Sequence, residues 1–392
     1  MTIVERPTVF IQQQVLAPYR IPFFEQLGRI VDLHVCISSN IAVTGVHMQV
    51  RQIGNGFEIH NLTEGSFLGR GHQVGAIDLA VKYSADTLVT GGGYVFYLLW
   101  NWRDLARLKL AGVRIFSWGC DGYEFDTRKQ WREGALTTWR RRIHHAYIGA
   151  MYKRFVDGFI GYSRHTAEFW QWAYGVDASK TSVAENALDT ASIESHYHAK
   201  SDASARNPKQ VIFVGRLIRS KSIDVLIRAF SNVCKEYYNA KLIIVGDGPE
   251  RESLEKLAFQ LITDRASVTF VGHVSDKSEL ARLLVASGVF VLPSYGGLAI
   301  NEAMAAGLAI ICARGDGTEK HLVKEGENGC FFESGSVPSL ELALLKLLSD
   351  DNVVLAMGEK SFVRITTKYN LSNMVQRFAE SIGASTKTTH GI

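Results

Sequence analysis

Two cations on one short turn are the first chemical feature of the chain. In FVGRLIRSK (213–221), Arg216 and Lys221 follow an apolar β-branched run and Gly215, and they lead into an amphipathic stretch. Fixed positive charge beside the amino end of a helix suits a diphosphate, because backbone N–H groups and the helix dipole add to the side-chain charge. Two solvated basic residues at a helix start remain the plainer alternative. IIVGDGPERESLEKL (243–257) reads as a strand, a tight turn through Gly246 and Gly248, and a helix with Pro249 at its start. It is not G-x-G-x-x-G, which argues against a nicotinamide fingerprint. LPSYGGLAINEAMAAGLAII (292–311) is the most informative stretch: a buried strand ends at Pro293, Gly296 and Gly297 let backbone approach a ligand, and a helix starts near Leu298 with Glu302 in its first turns. A carboxylate there can accept hydrogen bonds from the vicinal hydroxyls of a ribose while the helix start faces phosphate. An ordinary acidic helix start explains Glu302 as well.

The elements that must position these residues follow an α/β rhythm. Apolar strand-like runs alternate with amphipathic stretches at 8–15, 31–38, 85–92, 113–119 and 158–163, and again at 210–215, 241–246, 267–272, 288–294 and 309–314. The break HAKSDASARNPKQ (198–210) is the linker-like shift in composition. The reading is α/β throughout: a first domain over 1–197, a linker over 198–209, a second domain over 210–365, and a C-terminal helix within 366–392.

Composition narrows the function. With 392 residues, 46% of them hydrophobic, the chain is long enough for two or three cored domains and is neither disordered nor collagenous. A net charge of +4 is too small to predict a nucleic-acid partner. Cysteines 36, 120, 234, 312 and 330 are odd in number and lack C-x-x-C spacing, so neither a disulfide framework nor a zinc knuckle is expected, and the cytoplasm is the natural compartment. MTIVERPTVF does not read as a signal peptide, and no segment reads as a membrane span.

Charge is concentrated in one place. RKQWREGALTTWRRRIHHAYIGAMYKR (128–154) carries eight Lys or Arg residues against Glu133 alone, interleaved with aromatic and aliphatic residues. That pattern suits the surface of an anionic membrane. Equally, it describes a solvated basic face over a core stripe of Trp139, Ile143, Tyr147 and Met151.

The order of motifs across 213–332, FVGRL with its later lysine, VGDGP, FVGHV, PSYGG with NEAMAAG, and EGENGCFF, resembles the C-terminal half of the retaining GT-B glycosyltransferases of family four, the glycosyl transferases group 1. LAPYRIPFFEQL (16–27), YSRHTAEF (162–169) and ENALD (185–189) extend the likeness more weakly. The resemblance implies two Rossmann-like, doubly wound parallel-sheet domains facing a central cleft, with the last helix crossing back to the first domain. The first would hold an acceptor and the second a nucleotide sugar, most simply of the UDP or GDP type, without a metal or other cofactor.

Carried over by position, Arg216 and Lys221 would bind and neutralise the donor diphosphate and Glu302 would hold the ribose. Gly215, Gly246, Gly248, His273, Ser294, Tyr295, Gly296, Gly297 and Leu298 would border the donor. Two departures stand out. Ser294 occupies the position of the first acid in the family's Glu-x7-Glu pattern, and in FSWGCDGYEFD (116–126) Cys120 falls where the family's histidine lies. Asp121, at a strand's carboxyl edge, is a candidate for orienting an acceptor hydroxyl, with an Asp-Gly turn as the alternative. Gln13, Gln14, Arg20 and Tyr123 complete the expected acceptor side. The resulting expectation is transfer of a sugar to a hydroxyl of a glycan or lipid-linked glycan, in cell-surface polysaccharide or glycolipid biosynthesis, by a peripheral protein at the inner face of the membrane. A catalytically silent nucleotide-binding or partner-binding subunit and a nucleotide-sugar epimerase are the alternatives.

Overall fold

Short β-branched runs with no polar face must be covered on both sides, and parallel strands with helical crossovers do this. The computed structural model describes residues 6–38, 56–91, 93–120, 128–199, 206–294, 298–313 and 319–384. They form two units, Met1–Glu185 with Ser372–Ile392, and Asn186–Leu371.

The first unit holds β1 (Thr8–Gln13), β2 (Asp32–Ser38), β3 (Phe57–Leu62), β4 (Glu64–Phe67), β5 (Arg70–Gln73), β6 (Thr87–Thr90), β7 (Arg114–Gly119), β8 (Gly158–Gly161) and β9 (Thr181–Val183). Seven of them make a parallel sheet in the order β3-β2-β1-β6-β7-β8-β9, while β4 and β5 form an antiparallel hairpin. In the second unit, β10 (Asn207–Val214), β11 (Lys241–Val245), β12 (Val268–Gly272), β13 (Ser287–Leu292), β14 (Ala309–Ala313) and β15 (Gly329–Phe332) form a parallel sheet in the order β12-β11-β10-β13-β14-β15. All six residues of β13 are buried, as a continuous apolar run requires.

Boundaries differ from those expected. The units divide at Glu185 and Asn186, not at residue 197, because the helix Ala191–Ala199 packs on the helices Lys277–Ala286 and Leu298–Ala305. The expected linker is shorter than 198–209: residues 198 and 199 end that helix and 207–209 belong to β10, while 200–205 lie outside the described residues. Residues 366–368 finish the helix Asp351–Lys368, and the last helix is Leu371–Ser381. Its Phe378 ring sits 5.2 Å from Phe23 and 4.9 Å from Trp118, and Arg114 Nη2 donates to the Ile382 carbonyl at 2.8 Å.

In the second unit the loops at the carboxyl edge bond to one another through backbone. Gly215 N donates to Val245 O at 3.0 Å, Leu217 N to Asp247 O at 2.9 Å, and Gly246 N to Gly272 O at 2.8 Å. Gly246 has φ +133°, and a Cβ on it would fall 1.9 Å from the Gly215 carbonyl oxygen. Gly246→Ala is therefore expected to cost about 2–4 kcal/mol in the second unit's denaturant transition, combining left-handed strain with a backbone clash. Gly71→Ala, where a Cβ meets nothing within 4 Å, should stay within about 0.5 kcal/mol; equal losses would refute the packing argument.

Candidate functional site

Strand order in the second sheet reverses at β10, which has β11 on one side and β13 on the other. Loops leaving the two strands at such a point diverge to opposite faces and open a crevice at the carboxyl edge. Ile212 pairs with Phe290, so β10 and β13 release their loops at one level. The first carries Gly215, Arg216 and Lys221, and the second leads from Pro293 and Ser294 to the helix Leu298–Ala305.

Arg216 is exposed and has no ion-pair partner among the described residues. Lys221 ends the 3-10 turn Arg219–Lys221, and Ser222 after it takes φ +49°, a left-handed conformation uncommon for a side-chain-bearing residue. The sequence reading passed over Ser222, since nothing in its type marks positive φ. Gly246 and Gly248 have an internal reason to be glycine: a Cβ on Gly248 would lie 2.4 Å from the Leu217 carbonyl oxygen. Their loop thus fixes the one that bears Arg216. His273, just beyond Gly272, is exposed. Tyr295, Gly296 and Gly297 lie outside the described residues.

Behind this edge, Ser294 is buried and its Oγ has no hydrogen-bond partner among the described residues. Leu298 opens the helix. One turn on, Glu302 is half-buried, without a hydrogen-bond partner among the described residues. Burial pushes its carboxyl up to about 7, opposed in part by the charge of Lys277. Asn301 beside it donates through Nδ2 to the Asn186 carbonyl at 3.1 Å while its Oδ1 has no partner among the described residues. Sequence reasoning missed Asn301, because an Asn inside an apolar helix carries no pattern of its own.

The first unit has a corresponding edge. A cavity of about 350 Å³ lies at the carboxyl ends of β1, β6, β7 and β8, lined among others by Gln13, Gln14, Arg20, Trp118, Cys120 and Tyr162. Three of the expected acceptor-side residues therefore meet in one cavity, whereas Asp121 and Tyr123 lie outside the described residues. Burial raises the Tyr162 hydroxyl to about 12, so it stays protonated near neutrality. Gln14 also lines a second cavity of about 490 Å³ with Glu64, Arg70, Tyr94 and His144. There Tyr94 donates to Glu64 at 2.9 Å. The hairpin residues Glu64 and Arg70 were not anticipated, since their half-exposed alternation reads as loop.

One group suited to a metal occurs among the described residues: donor atoms of His34, Glu58 and His60 all lie within 4.8 Å of one another. His34 Nδ1 and His60 Nε2 are 3.0 Å apart, with ring centroids 5.2 Å apart and planes 19° from parallel. Those values describe two imidazoles facing each other in an N–H···N hydrogen bond; an ion needs both rings to turn so that their lone pairs converge. Burial lowers the His60 pKa, which favours the neutral, hydrogen-bonded pair.

In the basic segment, the helix Trp139–Phe155 buries Ile148, Met151 and Tyr152. Trp139 and Ile143 are not the core stripe expected of them; they are 67% and 60% exposed.

Residues 197–364 match the family model described as Glycosyl transferases group 1. The chain is 36% identical over 145 residues to an uncharacterized glycosyltransferase of Methanocaldococcus jannaschii, covering 36% of each protein. It is 27% identical over 188 residues to the capsular polysaccharide biosynthesis glycosyltransferase CapM of Staphylococcus aureus, covering 47% of each. The chain thus spans less than half the length of these curated relatives. Anabaena HepE, solved in complex with UDP, matches with a TM-score of 0.70 at 17% identity, over 96% of this chain and all of that one. At that identity the likeness establishes the fold alone, which is GT-B.

A carboxyl raised by burial stabilises the folded state most when neutral, so the contribution of Glu302 is complete below its unfolded pKa near 4.5 and is lost as pH rises through about 7. Between pH 5 and 8 the ligand-free protein should lose about 1–3 kcal/mol more in the second unit's transition than Glu302→Gln does. Parallel pH profiles for the two proteins would show that the carboxyl is not raised.

Proposed function

We propose that the chain is a retaining, metal-independent glycosyltransferase that moves a sugar from a nucleoside diphosphate, of the UDP or GDP type, to a hydroxyl of a glycan or lipid-linked glycan. The observation that carries this reading is the pairing, at the strand-order reversal of the second sheet, of a loop bearing Arg216 and Lys221 with a helix bearing Glu302, which has no hydrogen-bond partner among the described residues. The family-model match of residues 197–364 supports it, as do the relatives, both named glycosyltransferases.

On this reading Arg216 and Lys221 bind the diphosphate and stabilise the negative charge that grows on it as the sugar–phosphate bond breaks. No metal is needed for that role when two cations supply it. The departing phosphate oxygen takes the proton of the attacking hydroxyl on the same face, which gives retention. Glu302 accepts hydrogen bonds from the ribose hydroxyls, and those donors favour its ionised form. The first unit holds the acceptor in the cavity bordered by Gln13, Gln14 and Arg20, with Asp121 and Tyr123 assigned there by sequence.

A peripheral position at the inner face of a membrane, and a role in cell-surface polysaccharide or glycolipid biosynthesis, belong to the same proposal. Trp139 and Ile143 are exposed beside Arg140, Arg141 and Arg142, which places apolar side chains and positive charge together at one helix start, as interfacial binding requires. No helix among the described residues is long and apolar enough to cross a membrane.

Incubation with UDP-glucose, GDP-mannose and related donors plus a lipid extract should release nucleoside diphosphate and label the extract. Release without an acceptor product, or interconversion of the donor alone, would favour hydrolysis or epimerisation instead. Arg216→Ala should lower kcat about 10²–10³-fold with an unchanged melting temperature; an equal loss of stability would make Arg216 structural. In vesicle sedimentation, the protein should bind phosphatidylglycerol vesicles at low salt and release at high salt, and replacing Arg140, Arg141 and Arg142 with Gln should abolish retention. Retention by the triple variant would dismiss the membrane role.

A further inference from the structure

We infer that the cavity of the first unit binds an anionic group, a phosphate or a carboxylate on the acceptor, and that Arg20 is the residue that takes it. The inference rests on the reading of the first unit as the acceptor side and adds to it the chemical class of the acceptor.

Arg20 is only 4% exposed, and a guanidinium, unlike a carboxyl, does not shed its charge on burial. A buried cation without a counter-charge is costly, by several kcal/mol in typical proteins. The described residues offer Arg20 no carboxylate. Instead its guanidinium carbon lies 4.9 Å from the centre of the Trp118 ring, 5.0 Å from Tyr162 and 5.4 Å from Tyr19. Aromatic faces interact with a cation but accept little from N–H groups in the guanidinium plane. One in-plane donor, Nη1, reaches the Met374 sulfur at 4.0 Å, a weak acceptor. The fork is thus held in orientation while its strong hydrogen-bonding capacity is left unused by the described residues.

The cavity around it matches that unused capacity. None of its described lining residues is acidic, and its polar members besides Arg20 are neutral: Gln13, Gln14, Thr90, Ser117 and Tyr162 among them. The Tyr162 hydroxyl, protonated near neutrality, adds a donor. A volume of about 350 Å³ is within the usual range for small-molecule sites. A planar fork steered by aromatic rings, with amide and hydroxyl donors nearby, is suited to bidentate recognition of a phosphate or carboxylate.

The test uses the full chain in the Arg216→Ala background, which disables the diphosphate loop of the second unit. Trp118 lies beside Arg20, so its fluorescence, isolated by difference against Trp118→Phe, reports binding. Inorganic phosphate, glycerol phosphate and glucuronate are titrated, with glucose as the uncharged control. The expected result is saturable, salt-sensitive binding of phosphate compounds or of glucuronate. Arg20→Gln should weaken it at least tenfold, and Arg20→Lys should restore part of it. Whichever anion binds more tightly identifies the acceptor group. Equal binding by wild type and Arg20→Gln, or no preference for the anions over glucose, overturns the proposal. Should Arg20→Gln fail to fold, Arg20→Lys decides: the fork argument requires weaker anion binding at an unchanged melting temperature, and wild-type binding refutes it. UDP affinity, measured on Arg20→Gln with Arg216 intact, separates the two readings. Absence of UDP binding in the wild type would sink the donor assignment while leaving the anion site standing on its own titration.

Discussion

Backbone, not side chains, sets the geometry of the candidate donor edge. Gly215, Leu217 and Gly246 donate to Val245, Asp247 and Gly272, so three successive loops are tied at their first residues. Such ties tolerate change in neighbouring side chains but not the addition of a Cβ at Gly246 or Gly248, where the gap to another carbonyl oxygen is 1.9 or 2.4 Å. Because the loops cannot drift, Arg216 projects from a fixed base even though its own side chain is exposed. The strained Ser222 that follows is held between this base and the helix Ile223–Glu236, a setting in which local strain persists because its surroundings over-determine it.

The two units bury charge in opposite ways. Glu302 escapes the cost of burial by taking up a proton, with its carboxyl pushed up to about 7, so a binding partner rich in hydroxyl donors can draw it back to the ionised form. Arg20 has no such exit. Around its guanidinium the described residues set three aromatic faces and a sulfur. On the proposed reading, the first arrangement would couple ligand binding to proton release, and the second would leave Arg20 open to an acceptor that the described residues do not supply.

Legibility in the sequence followed burial. The ten strand-like runs all contain strands, because residues such as those of β13 are covered on both faces and leave an uninterrupted apolar signal. Five further strands escaped notice: the half-exposed edge strand Phe57–Leu62, the hairpin Glu64–Phe67 with Arg70–Gln73, the three-residue edge strand Thr181–Val183 and the four-residue edge strand Gly329–Phe332. Edges need less apolar surface and so write less of themselves into composition. The same limit governed the sites. Arg216, Lys221 and Glu302 were legible through motif order, and Arg20, Gln13 and Gln14 through their place after a strand. Asn301, Glu64 and the His34–His60 pair gather from separate elements that only the fold brings together.

The basic segment shows why periodicity alone misled at one point. Trp139, Ile143, Tyr147 and Met151 recur every four residues, which predicts a single buried stripe. A stripe is buried only as far as a partner surface extends. Near its carboxyl end the helix Trp139–Phe155 lies close against the chain around Tyr174, where a Cβ on Gly149 would come within 3.0 Å of the Tyr174 carbonyl oxygen, and Met151 and Tyr152 are buried. Tyr147 is half-buried, its hydroxyl donating to the Leu99 carbonyl at 2.6 Å. One turn earlier the packing surface ends, and Ile143 and Trp139 reach solvent among three consecutive arginines. Exposing two large apolar side chains gains nothing for folding, and like charges crowded beside them repel. Under the proposed peripheral role, an anionic surface would answer both costs at once, covering the apolar pair and neutralising the arginines.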